Sequence, residues 1–291
     1  MNRHRNRIRA RGSGAALVLV LWLVALLAAL IGAFAMTAQT EYLRGRTLGA
    51  SLVAGQAARA GLEYATTRVS HPDLRLQWAP DGRPYAWSFA GAEVEIRIVD
   101  ESGKFELNAA DAASLSTLMR VLGAEPAQAD AVAAAIVDWR DGDDLTQPQG
   151  GAEDPQYAAA GLPWGAKDAP FETVAEVEQV LGMTPALYAT LAEHLTIHSG
   201  LPMPDARFAA APVLEALGVD PAPVLANRER PPQPGDPSFV GAGSGTYSIE
   251  SRARLRDGRE SALRAVVRLG PGGVPGSAFT VLRWEEGALP R

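Results

Sequence analysis

The period of the hydrophobic pattern changes several times along this chain, and each change predicts a different element. Residues 15–36 are uniformly apolar, and no charged residue occurs between Arg11 and Glu41. As a helix, at 1.5 Å per residue, that run covers roughly 33 Å, enough to cross a bilayer core of about 30 Å. Beyond it Leu48, Leu52, Ala58, Leu62, Ala65 and Val69 recur at spacings near three and four, with Glu41, Arg44, Arg46, Gln56, Arg59, Glu63 and Arg68 between them. This predicts that the helix continues in amphipathic form. Gly45, Gly49, Gly55 and Gly61 lower its intrinsic helicity but permit close packing on a sheet or a second helix. His71-Pro72-Asp73 ends it, because proline disfavours helix at the residue before it.

Alternation then takes over. Residues 74–92 read as loop with a short strand around 85–89. Val94, Ile96 and Ile98 alternate with Glu95 and Arg97, a strand pattern, and Ser102-Gly103 predicts a turn into a returning strand carrying Phe105 and Leu107. From Asn108 to about Ser199 the period is helical: Leu115, Leu118, Val121 and Leu122, then Ala131, Val132, Ala135 and Ile136, then Val174, Val177, Val180 and Leu181, then Leu187, Leu191 and Leu195. Asn108 or Asp111 suits a helix N-cap, and Gly123 and Gly182 stand where C-cap glycines belong. A further short helix is expected at 209–217. Residues 227–245 are rich in Pro, Gly and Arg and read as a surface loop. Strands return with Tyr247, Ile249, Ala253 and Leu255, a hairpin signal at Asp257-Gly258, and Leu263, Ala265, Val267 and Leu269 opposite; a last strand fits 279–284. The order is helix, strands, helices, strands. It predicts an α+β fold: a long N-terminal helix packed on a small antiparallel sheet, with an all-α domain inserted between its strands.

Composition narrows the class. With 291 residues, 47% of them hydrophobic and 21% charged, the chain suits a globular protein with one membrane segment. The formal charge is −6; loss of residues 1–14, which carry five arginines and no acid, would take it to −11. That argues against a nucleic-acid partner, including the reading of the glycine-punctuated helix pairs as nucleic-acid-binding hairpins. There is no cysteine, so stability rests on the core or on metals.

The N-terminus is the first informative motif. Arg3, Arg5, Arg7, Arg9 and Arg11 precede the apolar run, which by the positive-inside rule leaves the N-terminus cytoplasmic and sends the chain beyond Glu41 across the membrane. Ala33-Phe34-Ala35 suggests a secretory cleavage site, yet the apolar run exceeds the roughly 7–15 residues of such a signal. A plain membrane anchor is the other simple reading. A short basic leader, glycine and an immediate apolar helix resemble type IV pilin-like precursors. That resemblance implies cutting after Gly14 by a prepilin peptidase, with Ala15 as the new, methylated N-terminus and Gly12 as the alternative cut. Most members carry glutamate at the fifth mature position; here it is Leu19. Its loss is typical of the minor pseudopilin K family of type II secretion.

The densest acidic stretch is Asp138-Trp139-Arg140-Asp141-Gly142-Asp143-Asp144, followed by Gly151-Ala152-Glu153-Asp154-Pro155-Gln156-Tyr157. Oxygen ligands spaced this way in a loop suit Ca²⁺, and no cysteine or histidine nearby points to zinc. It is no EF-hand: counted from Asp141, the fifth position is Leu145 and the twelfth Ala152. On spacing alone, a solvated acidic loop and a calcium site both stand. His194 and His198, read as one helical turn apart, are expected to be packed or solvated rather than ligands.

The pseudopilin K resemblance extends to this stretch. Asp138-Trp139-Arg140-Asp141-Gly142-Asp143-Asp144, Gly151-Ala152-Glu153, Tyr157 and Pro170-Phe171-Glu172-Thr173-Val174-Ala175-Glu176-Val177 are similar to the family's inserted α-domain. Pro202-Met-Pro-Asp205 and Arg207-Phe-Ala-Ala-Ala-Pro212 depart from it. The resemblance implies calcium at Asp141, Asp143, Asp144, Glu153 and Asp138. It implies segments 1–14 (leader), 15–36 (membrane), 37–107 (pilin-like helix and first strands), 108–200 (inserted α-domain), 201–246 (helix and loop) and 247–291 (closing strands). It further implies a non-enzymatic subunit in the inner membrane with a periplasmic domain, at the tip of a pseudopilus. Its partners would be other minor pseudopilins, the prepilin peptidase, exported substrates and the outer-membrane channel. A membrane-anchored metal-dependent hydrolase using Asp138, Asp141, Asp143 and Glu153, and a minor type IV pilus subunit, are the rival readings.

Overall fold

The computed structural model describes residues 13–229, 243–270 and 278–287, and the chain divides into two compact units, Met1–Val53 and Ala54–Arg291. The leader arginines, Gly12 and the middle of the expected loop 227–245 lie outside the described residues. Helix α1 runs from Ser13 to Val69.

In the first unit, Ala16–Tyr42 is an apolar helical stretch of 27 residues with mean hydropathy 2.9 and none of it buried. Leu17, Trp22, Leu26, Ile31 and Phe34 are all exposed. Late in the stretch the hydroxyls of Thr37 and Thr40 donate to the carbonyls of Ala33 (3.0 Å) and Met36 (2.9 Å), as hydroxyls on helices commonly do.

In the second unit, strands β1 (Asp81–Phe89), β2 (Ala92–Asp100), β5 (Thr246–Leu255), β6 (Glu260–Leu269) and β7 (Phe279–Glu286) form one antiparallel sheet in the order β1-β2-β5-β6-β7. Period-two alternation decides its faces. Val94, Ile96, Ile98, Tyr247, Ile249, Ala253, Leu263, Ala265 and Val267 are buried against Ala57, Ala58, Leu62, Ala65 and Val69 of α1. Gly61 makes that contact possible: a Cβ there would overlap Ser251 Oγ and lie 2.8 Å from Val94 Cγ1. Leu52, expected on the packed face, is exposed, and burial begins at Ala54. On the outer face Glu250 pairs with Arg252 (3.1 Å) and Arg264 (2.9 Å), exposed pairs worth about 0–1 kcal/mol each.

Between β2 and β5 the chain forms α2 (Ala112–Val121), α3 (Pro126–Arg140), α4 (Asp154–Ala159), α5 (Pro185–Leu191), α6 (Ala211–Ala216) and α7 (Pro221–Arg228). Their core is separate from the sheet's and is built on Leu115, Leu118, Met119, Val132, Ile136, Trp139, Tyr157, Phe171, Leu191 and Leu214.

The structure corrects the expected hairpin after β2. β2 pairs with β5 on one side and, on the other, with β1, which starts at Asp81 rather than near Tyr85. After a 3₁₀ turn at Glu101–Gly103, Phe105–Glu106 is a two-residue strand (β3) paired in parallel with Leu195–Thr196 (β4). Phe105 and Leu107 are wholly buried in the helical core, and that burial overrides the turn signal. Gly103 sits so close to the Phe208 backbone that a Cβ would lie 2.6 Å from its carbonyl carbon. Leu195 is therefore in a strand, not on a helix, and His194 and His198 flank that strand instead of sharing a helix face. Residues 174–179 are 3₁₀ rather than α. Helix α7 has no counterpart in the sequence reading; Asp220 caps it by accepting from Ala222 N at 3.0 Å.

Buried carboxylates knit the entry and exit of the helical segment to the sheet. Asp100 accepts from Ser102 N (2.8 Å), Ser102 Oγ (2.6 Å), Ser244 N (2.7 Å) and Ser244 Oγ (2.6 Å). Glu101 accepts from Lys104 Nζ (2.6 Å), from Ser248 Oγ (2.5 Å) and from Thr196 Oγ1. Glu106 accepts from Ser199 N (2.9 Å) and Gly200 N (3.0 Å).

Candidate metal centre

The acidic stretch begins on α3. Glu125 caps that helix by accepting from Ala127 N (2.9 Å) and Gln128 N (3.2 Å), with Pro126 in its first turn. Its last turn is pinned by Arg140, whose guanidinium donates to the carbonyls of Leu107 and Ala110 (2.6 Å to the latter). This fixes where Asp138 and Asp141 emerge. Beneath them Trp139 packs near Tyr157 (ring centroids 6.0 Å) and Phe171 (6.2 Å). Tyr157 accepts from Leu181 N at 3.1 Å, and burial pushes its hydroxyl up to about 12. Phe171 is clamped by Asn108, whose side chain accepts from Phe171 N (2.7 Å) and donates to Phe171 O (3.0 Å). The aromatic residues of the motif are thus the floor of the loop.

Asp138 is fully buried and accepts from Gln147 N at 3.0 and 3.2 Å, and also from the backbone of Ala152. Gly151 lies directly against it: a Cβ there would overlap Asp138 Oδ2 and stand 2.6 Å from Gln147 N. Asp141 caps α3, and its Oδ1 is buried without a partner. Glu153 precedes α4 and is 4% exposed; its amide donates to Gln156 Oε1 at 3.0 Å, while its own Oε1 is buried without a partner. Asp143 accepts from Leu145 N at 2.8 Å, and Asp144 is exposed.

Electrostatics ties these groups together. Glu153 is pushed up to about 7, first by burial and then by the charges of Asp138, Asp141, Asp168 and Asp144. Burial also raises Asp138, with Asp141 and Asp143 adding to it, and raises Asp141, with Asp143 adding to it. The five carboxylates expected from sequence therefore share one field. Asp168 joins them from the loop beyond α4, held at a left-handed φ of +52°. They stand within electrostatic range of one another, yet among the described residues no three acidic or histidine side chains converge closely enough to hold an ion as placed. Two buried, partnerless carboxylate oxygens and an all-oxygen donor set fit a hard cation that tolerates varied geometry, as Ca²⁺ does.

Burial lowers the pKa values of His194 and His198, keeping both rings neutral near pH 7, and they lie outside this group. A concavity of about 540 Å³ opens elsewhere, lined by residues 88–93 with Arg254, Leu255, Arg256 and Gly258, and contains none of the clustered acids.

Residues 96–200 match the family model described as type II secretion system (T2SS), protein K. The chain is 26% identical over 207 residues to the type II secretion system protein K of Pectobacterium carotovorum subsp. carotovorum, covering 63% of this chain and 62% of that protein. It is 29% identical over 202 residues to the protein K of Klebsiella pneumoniae, covering 62% and 61%. The match thus spans less than two thirds of either relative. Among solved structures, the crystal structure of the GspK-GspI-GspJ complex from the enterotoxigenic Escherichia coli type 2 secretion system contains a chain with the same fold. The TM-score is 0.60 at 19% identity, covering 84% of this chain and 100% of that one.

Proposed function

We propose that this chain belongs to the type II secretion system protein K family and is a non-enzymatic minor pseudopilin that helps to start a periplasmic pseudopilus and stands at its tip. The observation that carries this reading is the occurrence, in one chain, of a fully exposed 27-residue apolar helix and a helical segment matching protein K. The helix anchors the chain in the inner membrane with its N-terminus cytoplasmic, and bundles with the helices of other minor pseudopilins. The similar solved chain comes from a GspK-GspI-GspJ complex, which supports partners of that kind. The segment between β2 and β5 would cap the assembly against further subunits and present a surface to exported proteins or the outer-membrane channel.

Processing tests the reading. Cleavage after Gly14 by a prepilin peptidase leaves Ala15 as the methylated N-terminus and retains the apolar helix. A Gly14→Leu chain is expected to stay uncut, reading as a full-length intact mass with leader arginines by N-terminal sequencing. Peptidase-independent cleavage near Ala35 would sink the proposal.

Calcium at Asp138, Asp141, Asp143, Asp144 and Glu153, with Asp168 beside them, would order the acidic loop and do no chemistry. When bound, the ion supplies charge to neutralise the cluster. Glu153 sets the sign of the pH dependence. Its folded value of about 7 lies above the ordinary glutamate range, so in chelator the folded state prefers it protonated. Its contribution to stability is then full below about pH 4.3 and falls as pH rises toward 7. Calcium favours the carboxylate and reverses that slope. At neutral pH, calcium at about 100 times its Kd stabilises by about 2.7 kcal/mol, raising Tm by roughly 5–11 °C. Thermal unfolding in calcium and in chelator measures this. The difference should largely vanish in Glu153→Gln, and an equal Tm in both conditions would remove the ion from the proposal.

A further inference from the structure

We propose that β1 is a docking edge for an extended β-strand of a partner protein, uncharged over about six residues, which adds to the sheet beyond β1. The proposal goes beyond the pseudopilin reading and does not rest on it.

The sheet order leaves two edges, β1 and β7. An edge strand turns alternate N–H and C=O groups away from its neighbour and so offers a template for another strand, which natural proteins guard with charges. β7 is guarded. Arg283 pairs with Glu285, and Trp284 Nε1 donates to Glu286 Oε1 at 2.8 Å, so the strand carries three charges in its last four residues. β1 is guarded only at its start, where Arg83 pairs with Asp81 (2.6 Å), the register shifts and Pro84 follows. From 85 to 92 there is neither charge nor proline, and Tyr85, Trp87 and Phe89 alternate with Ala86 and Ser88. That is the composition edge protection ordinarily excludes. Among the described residues β1 pairs only with β2.

The side chains extend the template. On the helix side of the sheet, Tyr85 stacks on Trp78 (4.3 Å between centroids), and Trp87 stacks on Tyr64 (4.6 Å) and Phe89 (5.2 Å). These rings are half-buried, Phe89 is 43% exposed, and together they form an apolar shelf along the edge. A strand added about 4.8 Å beyond β1 would set its inward side chains against the rim of that shelf. On the other face Pro84, Ala86 and Ser88 are small and exposed, leaving the approach clear. The two-residue turn at Ala90-Gly91, with φ of +50° and +80°, closes β1 on β2 and fixes the register of the edge. The occupant follows from this chemistry. A helix has spent its backbone hydrogen bonds internally, and a charged strand would find no counter-charge from 84 to 92. An uncharged extended segment with alternating aliphatic or β-branched side chains satisfies both the backbone and the shelf.

The chain has no cysteine, so Ser88→Cys in the full-length protein gives a unique attachment point. A benzophenone maleimide coupled there in membranes from the native cell, then photolysed, should yield an adduct heavier than the chain. The cross-linked peptide, read by mass spectrometry, should be an uncharged extended segment of another protein. Adding Ala86→Lys should cut the adduct by about tenfold or more, with Tm unchanged within about 2 °C. Val281→Lys on β7 should leave the adduct intact. An adduct with a second copy of the chain, one mapping to a helix or charged segment, one indifferent to Ala86→Lys, or no adduct would overturn the proposal.

Discussion

Glu101→Ala is expected to cost about 3–5 kcal/mol, the range for removing one partner of a buried charge pair. In a unit of this size that lowers Tm by roughly 6–20 °C. Glu101 sits at the end of β2 and is 1% exposed. It joins Lys104 on the following turn, Thr196 on β4 and Ser248 on β5. Truncation takes the carboxylate acceptor from the half-buried Lys104 ammonium and from the Thr196 and Ser248 hydroxyls, at the point where the helical segment leaves and rejoins the sheet. Burial opposes the charge on Glu101, but the Lys104 ammonium and the hydrogen bonds from Lys104, Ser248 and Thr196 outweigh it and hold the carboxyl below its ordinary value. The sign follows: this contribution is fully present above the unfolded glutamate pKa and is lost as pH falls through the lower folded value. Glu101→Ala should therefore weaken acid dependence as well as stability. Glu101→Gln, which keeps an acceptor without charge, should fall between. Thermal unfolding of the full chain in detergent at neutral and acid pH reads both effects; equal Tm for the parent and Glu101→Ala would show that the carboxylate does not tie the two cores.

Gly61→Ala is expected to destabilise by about 1–3 kcal/mol, the cost of forcing a methyl into a filled core. The comparison that isolates the cause is Gly55→Ala on the same helix. Alanine improves helix propensity at either position by about 1 kcal/mol. At Gly55 the new Cβ would meet only Ser261 Oγ, at 3.8 Å, so the substitution should stabilise. At Gly61 it would overlap Ser251 Oγ and press on Val94 and Ile96, so the sign should invert. Ser251→Gly should recover part of the loss, since Val94 Cγ1 remains in the way. Two substitutions of one sign would mean that α1 does not lie as close to β2 and β5 at Gly61 as the structure has it.

The long helix and the sheet were legible because their signals are local. The uninterrupted apolar run and the alternation in β2, β5 and β6 each report an environment uniform along the element, and Asp257-Gly258 announces the turn between β5 and β6. Phe105 and Leu107 misled because alternation over three residues fits a hairpin as well as a short parallel pair, and only the distant Leu195 distinguishes them. The same limit explains His194 and His198: a helical spacing on paper is broken by a strand that exists only through its partner. In the acidic site, five carboxylates were visible because they crowd into sixteen residues of sequence. Asp168 was not, since only the return of the chain brings its charge to Glu153. Nor was the Glu101 network, whose members lie on the 3₁₀ turn, β4 and β5.

The most direct test of the pseudopilin reading is export from the native cell after deletion of this gene. A pseudopilin at the start of assembly predicts that proteins normally released to the medium accumulate in the periplasm. It further predicts that the parent chain restores their release and that Gly14→Leu does not. Release that is unchanged by the deletion, or restored equally by the uncleavable chain, would contradict it.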